Sequence, residues 1–170
     1  MVQSVSRWDV VFIQEMDFLH VNSRQDAEEI EKALYPHILI RHYGGAGCCA
    51  HGAIVNSRIQ RFVRKIDWSA RALSLFLQSK ANKHASLQLI GVHGYEQQHS
   101  LETLSEITDL MHKFPSRTVS RIVIGDFNID QLPNYHAGVR ADDENIEARA
   151  YLESLQTQFR LDCTVPTSFD

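Results

Sequence analysis

Cysteine is scarce in this chain of 170 residues. There are three, Cys48, Cys49 and Cys163, and two of them are adjacent. An odd count with a neighbouring pair argues against the paired disulfide framework of a small secreted protein. Neither sign of charge dominates: 17 Lys and Arg stand against 21 Asp and Glu, a formal net charge of -4. The chain as a whole therefore lacks the basic footprint typical of nucleic-acid binders. No apolar run approaches the ~20 residues that span a bilayer. Met1–Trp8 is polar and too short for the apolar core of a signal peptide. The expectation is an intracellular protein, nuclear or cytoplasmic, with no membrane insertion and no protein partner signalled. There is no Gly-x-Ser-x-Gly elbow, which leaves a serine hydrolase unsupported. Repeats, low-complexity tracts and interdomain linkers are also absent. What remains is ordinary globular composition, 44% hydrophobic and 22% charged. The length is that of a chain with one core. A single domain over residues 1–170 follows.

The most informative segment is Arg121-Ile-Val-Ile-Gly-Asp-Phe-Asn128. Ile122, Val123 and Ile124 predict a buried strand that delivers Asp126 and Asn128 to its C-terminal end. Ligands of α/β sheets collect in the crevice outside such ends. An Asx turn explains the same tetrapeptide without any chemistry. Two further segments repeat the pattern. Asp9-Val-Val-Phe-Ile-Gln-Glu15 predicts a buried parallel strand over Val10–Ile13 that ends near Glu15, and Ser86-Leu-Gln-Leu-Ile-Gly-Val-His93 predicts a strand that ends in histidine. Buried strands finish in ionisable groups only where those groups are paired or solvated. An edge bearing Glu15, His93, Asp126 and Asn128 has the residue types of a metal-assisted hydrolytic site.

These segments, in this order, resemble the motifs of the endonuclease/exonuclease/phosphatase superfamily. The residues that carry the resemblance are Phe12-Ile-Gln-Glu15, Gly91-Val-His93 and Ile124-Gly-Asp-Phe-Asn128, supported by Gly52-Ala-Ile-Val-Asn-Ser57 and Val165-Pro-Thr167. The Gly-Asp-Phe-Asn wording and the Pro-Thr are similar to the endonuclease domains of non-LTR retrotransposons. His93 is similar instead to deoxyribonuclease- and sphingomyelinase-like members. The resemblance implies an α/β fold, a two-sheet sandwich flanked by helices in a deoxyribonuclease-like four-layer architecture. It also implies a phosphodiester hydrolase that uses Mg2+ (or Mn2+) on nucleic acid, DNA foremost. Glu15 would hold the metal and Asp126 would activate water. Asn128 would donate its amide to a phosphate oxygen or hold the family's catalytic His in place, and His93, with Tyr95 as a substitute, would act as general acid or phosphate ligand. The strand that members place ahead of Gln-Glu and their late Asp-His pair have no counterpart here, so the resemblance implies an incomplete domain. A phosphatase- or sphingomyelinase-like phosphoesterase and a non-catalytic remnant remain as alternatives.

Periodicity supplies the other elements. Helices are predicted from Asn22 to Leu34, with Pro36 terminating the first, over Ser100–His112, and over Asp143–Phe159, the last carrying a stripe of Ala148, Tyr151, Leu152, Leu155 and Phe159. Strands are predicted at 37–42, 52–57 and Ala72–Gln78, with Arg58–Asp67 as a hairpin partner. His42, Cys48, Cys49 and His51 match no standard zinc spacing, and Gly44–Gly47 reads as a tight connection. Arg58, Arg61, Arg64, Lys65 and Arg71 lie around Phe62 and Trp68. They read as a solvated edge strand or as a strip that contacts a nucleic-acid backbone.

Overall fold

The computed structural model describes residues 7–16, 23–42, 50–82, 85–94, 100–114, 118–127, 129 and 143–162, with backbone alone at 15, 16, 23–27, 42, 50 and 143–145. In chain order the elements are β1 (Val10–Met16), α1 (Ser23–Leu34), β2 (Ile38–His42), β3 (Ala50–Val55), α2 (Ser57–Gln60), β4 (Val63–Trp68), β5 (Ala72–Gln78), β6 (Ser86–His93), α3 (Ser100–His112), β7 (Val119–Asp126) and α4 (Asp143–Phe159).

The strands form two sheets, ordered β1-β3-β2 and β4-β5-β6-β7. Alternation along each strand assigns its faces. Leu73, Leu75 and Leu77 of β5 point at the first sheet and meet Ala53 and Val55 of β3, with Phe12 of β1 and Leu89 of β6 packed alongside. The opposite face of β6 carries Ile90 and Val92, which pack on Leu104, Ile107, Leu110 and Met111 of α3 and on Ala148, Leu155 and Phe159 of α4. On the outer side of the first sheet, Leu34 of α1 meets Leu39 and Ile54. The molecule is therefore layered helix, sheet, sheet, helix, the four layers expected from the sequence. Each fully buried Leu or Ile in these cores contributes ~1.5–3 kcal/mol. The polar Gln88, fully buried, is tolerated because its partners are supplied. Its Nε2 donates to Ser74 Oγ at 3.0 Å and to the Leu110 carbonyl at 2.9 Å. Its Oε1 accepts from Arg121 Nε at 3.2 Å.

Some expectations need correction. β1 is not a buried parallel strand: it runs antiparallel to β3, and Val10–Gln14 are only half-buried. Within the described residues β1 pairs on one side only, so one flank of its apolar run faces outward. Ile122, Val123 and Ile124 are not buried together either. Val123 packs on the helices, whereas Ile122 is 52% and Ile124 56% exposed. Among the described residues β7 is the edge strand of a four-stranded sheet that faces a sheet of three. The strand expected at 52–57 ends at Val55. Asn56 instead caps α2, its side chain accepting from Arg58 N at 3.1 Å. The hairpin partner expected over Arg58–Asp67 begins only at Val63, because the segment ahead of it folds as α2, and the remaining elements match within a few residues. Gly44–Gly47, Cys48, Cys49, Asn128 and Val165–Thr167 lie outside the described residues, as does the side chain of His42, so the zinc reading is untested.

Candidate active site

Three strand ends meet at one end of the sandwich. β6 and β7 run parallel, and their register ends on His93 opposite Asp126. The ladder continues one residue beyond, where Gly94 N donates to the Asp126 carbonyl at 2.7 Å. This close approach explains the glycines. A Cβ on Gly94 would press into the Phe127 carbonyl. One on Gly125, at φ +147°, would overlap the Val92 carbonyl oxygen. Only glycine adopts such a backbone at little cost. The Gly ahead of Asp126 is thus required by the backbone, and it fixes where the carboxylate leaves the sheet. Asp126 is exposed and His93 half-buried.

β1 reaches the same end from the opposite sheet. The Phe12 ring lies on Gly91, where a Cβ would collide with it. Two residues further along, Gln14 Nε2 donates to the Val92 carbonyl. The β1–β3 register then slips, with Ile13 opposite Gly52 but Met16 opposite Ala50. Three steps on β1 face two on β3, a bulge that contains Gln14 and Glu15. Bulges re-aim side chains, and they are common beside active sites. The Gln-Glu backbone is therefore held at the end where His93 and Asp126 emerge. The side chain of Glu15, all of Asn128 and all of Tyr95 lie outside the described residues. Among the described residues, no cluster of three or more His, Cys, Asp and Glu is placed to hold a metal ion.

Register adds a residue that sequence reasoning assigned elsewhere. The β5–β6 ladder pairs Ala72 with Val92, and its next rung is His93 N donating to the Arg71 carbonyl at 2.9 Å. Arg71, His93 and Asp126 thus lie side by side across three neighbouring chain segments. Strand alternation puts His93 and Asp126 on the face that looks toward the first sheet, and Arg71, in the bend just ahead of β5, joins them through its backbone. Arg71 is fixed from behind, because its backbone N–H donates to Glu106 Oε2 of α3 at 2.9 Å. The row presents a cation, an imidazole and a carboxylate. In the sequence, Arg71 was one of five basic residues in a strip. The signal that could have singled it out is its position just ahead of a strand that pairs with the strand ending in His93.

The remainder of the basic strip is divided. Arg58 pairs with Asp9 at 2.7 Å at the opposite end of the sandwich, and Arg61 lies over the Phe62 ring. Lys65 and Lys113 both bond Asp67, at 2.9 and 3.2 Å. Burial alone would raise the pKa of Asp67, but the two lysines outweigh it and hold the carboxyl below its ordinary value.

No family profile and no curated protein matches the chain. Solved structures do. The endonuclease domain of TRAS1, a telomere-specific non-LTR retrotransposon, superposes with a TM-score of 0.55 at 12% identity, over 91% of this chain and 63% of that domain. TDP2 from C. elegans aligns with a TM-score of 0.43 at 14% identity, over 82% of this chain and 44% of that one. This chain has the deoxyribonuclease-like sandwich fold. It spans less than two thirds of the length of either structure. At these identities the likeness establishes the fold, and chemistry has to be argued from the residues. Among the described residues, no helix is long and apolar enough to cross a membrane.

Proposed function

We propose that this chain carries the active-site core of a divalent-metal phosphodiesterase acting on nucleic acid, of the retrotransposon-endonuclease kind. The observation that carries the reading is the convergence of β1, β6 and β7. Gln14 is tied to Val92 while His93 and Asp126 end their strands in register, so three segments far apart in the sequence reach one edge. The likeness to the TRAS1 endonuclease domain supports the fold this requires.

The donor chemistry suits Mg2+ or Mn2+. Carboxylate oxygens are the hard ligands these ions prefer, and Asp126 presents one in an exposed position. Glu15 would hold the ion, which supplies Lewis-acid polarisation of the phosphoryl oxygens when bound. The chain's own groups do the rest. Asp126, at the outer end of β7, orients a water molecule and takes its proton as it attacks phosphorus. Arg71 neutralises charge on a non-bridging phosphate oxygen, and its backbone bonds to His93 and Glu106 hold it in register. His93 binds a phosphate oxygen or protonates the leaving oxygen. Asn128, two residues past Asp126, donates its amide to the same phosphate.

The test is nicking of supercoiled plasmid by the chain with Mg2+, with EDTA, and as Asp126→Ala. Nicking that needs the metal and is lost in the variant is the expected result. A folded chain that does not nick, or an Asp126→Ala variant that nicks equally well, rejects the reading. His93 favours a second reading, a phosphoesterase acting on small phosphate esters. Metal-dependent release of p-nitrophenol from bis(p-nitrophenyl) phosphate without plasmid nicking would favour it.

A further inference from the structure

We propose that Trp68 is a stacking platform for a nucleobase next to the scissile phosphate, which makes an unpaired or splayed nucleotide the substrate that this site takes. The inference rests on the proposed nucleic-acid reading of the Arg71–His93–Asp126 row. Trp68 ends β4 and pairs with Leu73, Leu73 pairs with Gly91, and Gly91 pairs with Ile124. These four residues form the rung next to the catalytic row and, by alternation, lie on the same inner face. The middle of the rung is sealed: Leu73 is fully buried and Phe12 covers Gly91. Its ends are open, with Trp68 52% and Ile124 56% exposed. The row is thus flanked by two partly exposed apolar side chains, of which Trp68 is the aromatic one.

Geometry and charge select the occupant. β4 lies two strands from β6 and Trp68 is set back two residues from His93, a backbone separation of roughly 12 Å at ordinary strand spacing, which two facing side chains and one nucleotide can bridge. The Trp68 turn is braced: Ser69 N donates to the Ala72 carbonyl at 2.9 Å, and Ala72 N donates to Ser69 Oγ at 3.1 Å. A preorganised ring loses little entropy on stacking. Residues 58–71 hold five of the 17 basic residues and one of the 21 acids, and that acid, Asp67, is bound by two lysines on the opposite face of β4. Of these cations Arg58 pairs with Asp9 at the far end and Lys65 with Asp67 on the opposite face, so the one beside the Trp68 turn is Arg71, and an aromatic next to an arginine is a pairing that binds single strands. A base within a duplex is stacked on both faces and cannot use the ring.

The chain has two tryptophans, and the other, Trp8, lies ahead of β1 at the far end of the sandwich. Trp8→Phe makes Trp68 the sole reporter, and Asp126→Ala in that background prevents cleavage during titration. Oligothymidylate is expected to quench the fluorescence. Trp68→Ala is expected to weaken oligothymidylate binding, read by anisotropy of a labelled strand, roughly 5- to 150-fold, with Trp68→Phe recovering most of it. The far-UV spectrum should be unchanged, and because about half of Trp68 is buried the melting temperature of Trp68→Ala should fall, so binding is compared well below it. Equal binding by Trp68→Ala, or binding without quenching, overturns the inference. If Asp126-dependent plasmid nicking persists in that case, the proposed function stands and only the platform fails. If a folded chain neither binds the strand nor nicks plasmid, both fall together.

Discussion

The two ends of the sandwich are built from the same strands and use polar residues in opposite ways. At the end where β1 begins, every polar group shown closes the fold. Asn56, 5% exposed, accepts from Arg58 N and donates to the Trp8 carbonyl at 3.1 Å, while its own N–H donates to the Asp9 carbonyl at 2.9 Å. Ser57 N donates to His37 Nδ1 at 3.2 Å, and Gln60 Nε2 donates to the Pro36 carbonyl at 2.9 Å. At the other end glycine backbone and Gln14 close the fold, and Arg71, His93 and Asp126 lie along the rim. A strand end whose polar side chains satisfy the backbone is structural. Where glycine lets backbone satisfy backbone, the side chains beside it can be given to chemistry.

The largest expected effect breaks this contrast at the rim. Asp126→Ala should lower metal-dependent nicking by ~10²–10⁴-fold, the range for a lost general base. Its melting temperature should stay close to that of the parent, since an exposed side chain removed from a surface changes stability by about 0.5 kcal/mol or less. A large loss of stability in Asp126→Ala would show that the rim carboxylate is structural after all.

The next effect comes from the glycine that makes the rim possible. Gly125→Ala puts a Cβ against the Val92 carbonyl at φ +147°. Both the clash and the backbone conformation are unfavourable there. A destabilisation of about 2 kcal/mol or more is expected in chemical denaturation. Nicking should fall as well, because β7 must move away from β6 and carry Asp126 with it. Gly125→Ala that melts like the parent would mean that the β6–β7 contact yields easily.

At the closed end, Asn56→Ala should cost ~1–2 kcal/mol through the lost cap and the lost bond to Trp8. Its specific activity per folded molecule should be unchanged. A fall in activity with unaltered stability would couple the two ends and sink the division drawn between them.

Residue patterns made the rim partly legible and partly not. Ile124-Gly-Asp-Phe and Phe-Ile-Gln-Glu stood out because an apolar run ending in an acid is costly to bury, and that penalty is local to the sequence. α3 and α4 were legible for the same reason, since a stripe at helical spacing is a local signal. The direction of β1 was not, because antiparallel pairing with β3 is decided by residues far along the chain. Nor was the exposure of Ile122 and Ile124, which depends on how many strands the facing sheet contains. Arg71 was missed because its place beside His93 follows from ladder register, and single-sequence patterns do not carry register between strands.

The smallest expected effect concerns Asp67, on the helix-facing side of the second sheet. Its pKa is held below the ordinary carboxylate value, despite burial that opposes this, by hydrogen bonds and charge from Lys65 and Lys113. A depressed folded-state pKa means that the unfolded chain takes up the proton first as pH falls. The ion pairs therefore stabilise the fold fully above the unfolded carboxyl pKa, and their contribution is lost as pH drops through the lower folded value. Asp67→Asn should accordingly be less stable than the parent near neutral pH and should converge with it in acid. Salt should narrow the gap at neutral pH, because both lysines are partly exposed. Plasmid nicking should not change, as Asp67 lies on the opposite face of β4 from Trp68. A parallel offset between the two stability curves down to low pH would show that the carboxylate acts through packing and not through its charge.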